Sequence, residues 1–181
     1  MVEQTRMTAA EFFELPESNS PIELINGELV VSPTPIPNHQ DAVGNTFVLL
    51  KQLARITGGK AYVAPLEVYF DEDNVPQPDV MWVSPTRLSV VGPKRLDAPP
   101  DLIVEVLSPG TARTDKETKF RLYEKYQVRE YWIVDPVHQL VDVWTLVDKK
   151  FVWQGAYGVG DTFKSAVFDG QTIEVSTIFT G

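Results

Sequence analysis

The sequence predicts an α/β fold: a mixed β-sheet flanked by helices and extended by antiparallel hairpins. Residues 102–107, Leu-Ile-Val-Glu-Val-Leu, are nearly all apolar, as a strand covered on both faces requires. Tyr131-Trp132-Ile133-Val134 has the same character. Between them, from about Ala112 to Tyr126, the pattern is helical. Strand, helix, strand is a crossover unit, which makes the two strands parallel neighbours. The tail alternates in short runs at 139–146, 150–154 and 172–175, the mark of antiparallel hairpins that extend the sheet.

The earlier elements follow in order. Thr8 is followed three residues later by Glu11, a capping box that starts a short helix. Residues 21–32 form a hairpin, with Asn26-Gly27 supplying the positive φ angles of its turn. From Asn38 to about Thr57, Val43, Phe47, Leu50 and Ala54 recur at helical spacing, and Gly58-Gly59 stops that helix. Residues 61–70 alternate as a strand with Tyr62, Ala64, Leu66, Val68 and Phe70 on one face, and residues 79–83 form another. Residues 84–100, rich in Pro and Gly, read as a long loop inside one domain covering 1–181.

Composition limits function. The 181 residues are 43% hydrophobic and 23% charged, as in globular proteins. They include no cysteine, so thiolate metal sites, cysteine nucleophiles and disulfides are excluded. The net charge of −9 argues against a non-specific nucleic-acid coat protein, which needs many cations. An enzyme that grips a few phosphates locally remains compatible with it. No apolar stretch approaches the roughly 20 residues that cross a bilayer, and no leader-like run follows Met1. The expectation is a cytoplasmic protein with no membrane partner.

Glu105 is the one charge in the run 102–107. A carboxylate there must reach water, pair with a cation or bind a metal. Asp79 opens the strand 79–83. If that strand lies antiparallel beside 102–107, the two carboxylates converge. At about 4 Å they repel by roughly 4 kcal/mol with an effective dielectric of about 20, so a cation or shared proton must join them. Two carboxylates with retained waters suit Mg²⁺. Asp115, Lys119 and Tyr123 fall along one face of the following helix, with Lys116 on the adjoining row. Lys119 is read either as an i,i+4 surface pair with Asp115 or as a group that orients water and stabilises phosphate charge.

In order along the chain stand Glu23-Leu24-Ile25-Asn26-Gly27-Glu28-Leu29, Ser32-Pro33, His39-Gln40, Pro78-Asp79-Val80, Pro100 through Pro109, Asp115, Lys119, Tyr123, and Glu130 through Pro136. This ordered set resembles the Uma2 family (DUF820) of the PD-(D/E)XK nuclease superfamily, over roughly residues 8–179. The resemblance implies a restriction-endonuclease-like core and phosphodiester hydrolysis of nucleic acid, DNA first, with Mg²⁺ or Mn²⁺. It assigns Asp79 and Glu105 as metal carboxylates, joined by the backbone carbonyl of Val106. The superfamily's usual Lys two residues after the Glu is here Leu107. The family's Lys comes from the next helix, where Lys119 matches and Lys116 is second. Glu23, favoured over Glu28, is a further candidate carboxylate. His39 is read either as a surface residue or as a contact to phosphate or to metal-bound water. A catalytically inactive binding or scaffold protein on the same fold is the rival, and a small-phosphoester hydrolase is a third reading. A homodimer is expected, with aromatics of the late strands as one source of interface. Tyr131 and Trp132 read as core, and Lys149-Lys150 as a hairpin tip.

Overall fold

A computed structural model of the chain describes residues 6–16, 18, 20–32, 36–108 and 114–180, with Thr114 and Asp115 by backbone alone. The elements are α1 (Ala9–Phe13), β1 (Ile22–Ile25), β2 (Glu28–Val31), α2 (Pro37–Thr57), β3 (Lys60–Val63), β4 (Val80–Val83), β5 (Leu102–Val106), α3 (Phe120–Lys125), β6 (Glu130–Asp135), β7 (Leu140–Val147), β8 (Lys150–Gly158), β9 (Thr162–Lys164), β10 (Thr172–Glu174) and α4 (Ser176–Phe179). A six-stranded mixed sheet runs in the order β3-β4-β5-β6-β7-β8. β5 and β6 pair parallel, as the crossover requires, and every other pair in that sheet is antiparallel.

Strand parity divides the core. Val80, Trp82, Leu102, Val104, Val106, Trp132 and Val134 pack with Ala42, Val43, Leu50 and Leu53 of α2. Met81, Val83, Ile103, Leu107, Tyr131 and Ile133 pack with Leu122 and Tyr123 of α3. Tyr131 and Trp132 are fully buried, as their strand pattern predicts. Each such large apolar side chain contributes about 1.5–3 kcal/mol relative to an exposed one.

The N-terminal elements follow their local signals. Thr8 caps α1, and Thr8 and Glu11 form the reciprocal capping box. Asn26 and Gly27, at φ 54° and 77°, make the two-residue turn between β1 and β2. Gly58 and Gly59 both take positive φ after α2.

Five expectations need correction. The strand read over 61–70 ends at Val63, since Pro65 has no N–H to donate to a ladder. Val68 and Phe70 are buried as their alternation implies, but against the α3-side core and not in the sheet. The run 172–175 does not extend the sheet. β10 pairs with β9 in a separate ribbon, and their Ile173 and Phe163 cover the α2 side. The segment 84–100 is not open loop: Pro85–Val90 is a 3₁₀ turn, and the fully buried Leu96 bridges to Val68 and Val91. The helix read over 112–126 is a π turn, Thr114–Lys119, leading into α3, while 112 and 113 lie outside the described residues. At the β7–β8 tip the left-handed residues are Asp148 and Lys149, one position earlier than read.

β8 is an outer strand of the sheet, and side chains bond its backbone. Glu124 accepts from Phe151 N, Gln154 donates to Val152 O, the Tyr157 hydroxyl donates to Gln154 O, and Asp161 accepts from Gly158 N.

Candidate active site

The hairpin β1–β2 docks on the 71–77 loop. Leu24 and Val75 exchange backbone hydrogen bonds, and Asn26 N donates to Asn74 Oδ1. This holds Glu23 inward, 3% exposed, with its Oε1 accepting from Gln77 N at 2.7 Å. Glu28, across the turn, is exposed. Of the two, Glu23 is the one turned inward.

β4 and β5 are antiparallel, with Val80 opposite Val104. One more step of that register sets Asp79 beside Glu105. Asp79 Oδ2 accepts from Val106 N at 2.8 Å and lies 3.4 Å from Nε2 of His39 on α2. His39 is 7% exposed, so the surface reading of it does not hold. The side-by-side carboxylates required neighbouring antiparallel strands, and that pairing is present.

Lys119 closes the π turn and is almost wholly buried. Its Nζ lies 3.0 Å from Glu105 Oε1 and 3.0 Å from Glu23 Oε2. Its ammonium thus bridges two buried carboxylates. Lys116, the second candidate, is exposed and does not line the cleft. The side chain of Asp115 lies outside the described residues. A π turn advances its side chains differently from an α-helix, which separates two lysines that share neighbouring rows in an ideal helix.

Tyr123 completes the cluster and was not among the candidate site residues. Its hydroxyl donates to Glu105 Oε1 at 2.6 Å. Burial above all, then the charges of Glu105 and Glu23, neighbouring Tyr131 and the hydrogen bond to Glu105, hold its phenol well above the ordinary range. It therefore stays a proton donor at any working pH. Its i,i+4 spacing from Lys119 was the available signal. Tyr123→Phe should cost about 2 kcal/mol, the value of a hydrogen bond to a charged group, read by urea denaturation.

A cleft of about 950 Å³ is lined in part by Glu23, His39, Asp79, Glu105, Val106 and Lys119. The donor set offers hard carboxylate oxygens. Among the described residues, no three His, Asp or Glu side chains are arranged to hold a metal by themselves. Hard carboxylate oxygens are donors of the kind that Mg²⁺ takes, with water filling the rest of its shell. Among the described residues no helix is long and apolar enough to cross a membrane.

A family model described as "Uma2: Putative restriction endonuclease" matches residues 9–176. Among solved structures, one described as a "putative nuclease belonging to DUF820" from Anabaena variabilis superposes with a TM-score of 0.79. It has 19% identity, over 96% of this chain and 98% of that one. At that identity the likeness speaks for the fold. A comparison with curated proteins found no match. The match over nearly the whole chain, with its fold, places this protein in the Uma2 family.

Proposed function

We propose that the chain is a metal-dependent endonuclease that hydrolyses phosphodiester bonds in nucleic acid, with DNA the first substrate to test. The observation that carries this reading is the pair Asp79 and Glu105, side by side on neighbouring strands in the lining of a cleft, with Lys119 against Glu105. Asp79, Glu105 and the carbonyl of Val106 would hold Mg²⁺ or Mn²⁺. Such an ion lowers the pKa of a bound water and neutralises charge on the phosphate. Lys119 orients the attacking water and balances charge on the phosphate oxygens. His39 and Val106 N fix Asp79 in place, and Tyr123 fixes Glu105. Glu23 holds the Lys119 ammonium. In this reading the chain acts as one cytoplasmic domain over residues 1–181, and a second copy is its partner.

One observation favours the rival, a binding or scaffold protein that has kept the fold. The Lys119 ammonium already balances two of the three carboxylates without any metal. Calorimetric titration of Mn²⁺ and Mg²⁺, followed by assays on single-stranded, double-stranded and structured DNA, decides between them. Asp79→Ala should abolish measurable metal binding. It should also cut cleavage by more than about 100-fold, the upper cost of losing a group that merely supports a ligand. A wild-type chain that binds neither ion belongs to the rival.

A further inference from the structure

We propose that the aromatic and cationic lining of the cleft around Phe13 and Arg95 is a subsite for an unpaired base and its phosphate, which makes single-stranded nucleic acid the substrate class of this site. The proposal rests on the nuclease reading for the chemistry, but its evidence comes from residues other than Asp79 and Glu105. Besides its acidic residues, the cleft is lined by Phe12, Phe13, Leu15 and Ile22, and by two adjacent cations, Lys94 and Arg95.

A duplex keeps its bases stacked inside and offers a protein mainly phosphate and sugar, for which an apolar wall is useless. An unpaired strand exposes base faces, which stack on aromatic rings and guanidinium planes. Arg95 is placed for that role. Its guanidinium carbon sits 3.9 Å from the centroid of the Phe13 ring. Its Nε lies 3.2 Å from Asp97 Oδ1, and a third of the side chain remains exposed. The planar group packs on Phe13, with the Tyr69 ring centroid 5.9 Å away, and keeps part of its surface exposed in a residue that lines the cleft. Lys94, exposed beside it, is a point charge suited to a phosphate.

Size and charge agree. A volume of about 950 Å³ is that of a recess for a small ligand, typically about 300–1,000 Å³, and suits a nucleotide or two. Glu14 and Glu67 share the lining, and the chain carries −9 overall. Long-range attraction of a polyanion is therefore weak, and affinity must come from short-range stacking, which an unpaired strand supplies.

The test is fluorescence anisotropy of the full chain with a labelled single strand and with its blunt duplex, in Ca²⁺ so that binding is read separately from turnover. The single strand should bind at least about 10-fold tighter than the duplex, and Arg95→Ala should remove about 10-fold or more of that affinity. Arg95→Lys keeps the charge without the plane and should behave like the alanine variant. It carries the test if Arg95→Ala fails to fold by circular dichroism. Lys94→Ala should lower the salt slope by about one phosphate contact. Equal or tighter duplex binding, no binding of either, or full single-strand affinity in Arg95→Lys overturns the proposal. Duplex cleavage with single strands ignored would sink it and leave the nuclease reading standing. Single strands bound through Arg95 but never cut would keep it and sink the nuclease reading.

Discussion

Lys119→Met is expected to lower the stability of the folded chain by about 3–5 kcal/mol, the usual result of removing one partner from a buried ionic group. The reason is geometric. Glu23 and Glu105 are each about 3% exposed, and the ammonium 3.0 Å from both is the cation between them. Methionine fills similar space and takes the ammonium away from two buried carboxylates, leaving Glu105 with the Tyr123 hydroxyl and Glu23 with the Gln77 N–H among their neutral donors. Adding Glu105→Gln to the Met background should recover part of the loss, with a coupling of at least about 1 kcal/mol in a double-mutant cycle by urea denaturation. The same variant separates two roles at the site. Cleavage should fall by about 10²–10³-fold, since a charge-stabilising donor is gone. Mn²⁺ affinity should hold or tighten, because the competing ammonium is gone too. A Met variant as stable as wild type would mean that the three-residue charge cluster does not form.

The second large effect lies outside the cleft. Glu130 is fully buried at the start of β6, and its carboxylate accepts from Trp132 Nε1 at 2.6 Å, Ala166 N at 2.6 Å and Val167 N at 3.1 Å. It clips the 165–168 segment to the sheet and so seats Phe168 against Trp82, with ring centroids 4.5 Å apart. Glu130→Ala strands those donors and opens a void, and should cost at least ~3 kcal/mol by thermal or urea unfolding. Glu130→Gln is instructive because one of its two terminal atoms becomes a donor facing donors, so it should also destabilise. Burial raises the Glu130 carboxyl above the ordinary range, and its hydrogen bonds only partly oppose that. The folded chain therefore binds this proton more tightly than the unfolded chain does. This contribution to stability is complete below the ordinary glutamate pKa and fades as pH rises through the elevated one. The Gln variant should lack that segment of the stability–pH curve.

These residues show what a sequence reveals and what it hides. Glu105 was visible as a lone charge in an apolar strand, and its meeting with Asp79 followed once the two strands were taken as antiparallel neighbours. Glu130 obeys the same rule, a carboxylate heading an apolar strand, and applying the rule twice would have marked it as a buried acceptor. Its partners at 166 and 167 are more than thirty residues away, and no local pattern names them. The capping box, the Asn-Gly turn and the crossover were legible because each depends on a few neighbouring residues. The end of β3, the separate β9–β10 ribbon and the π turn were not. Alternation reports which side chains are buried and is silent on the surface they are buried against. The site itself was half legible for that reason: residue types marked Asp79, Glu105 and Lys119, whereas the Gln77 clip on Glu23 and the Tyr123 hydroxyl needed the packed fold.

The side chains bonded along β8 have a consequence for handling the protein in bulk. An outer strand with free backbone groups is a template for another chain, and sheets left so tend to polymerise edge to edge. Here Glu124, Gln154, Tyr157 and Asp161 already engage backbone groups of β8. A newcomer must break those bonds before making its own. Edge-to-edge growth through β8 should therefore be disfavoured, and self-association at this strand should proceed through side chains such as the exposed Trp153.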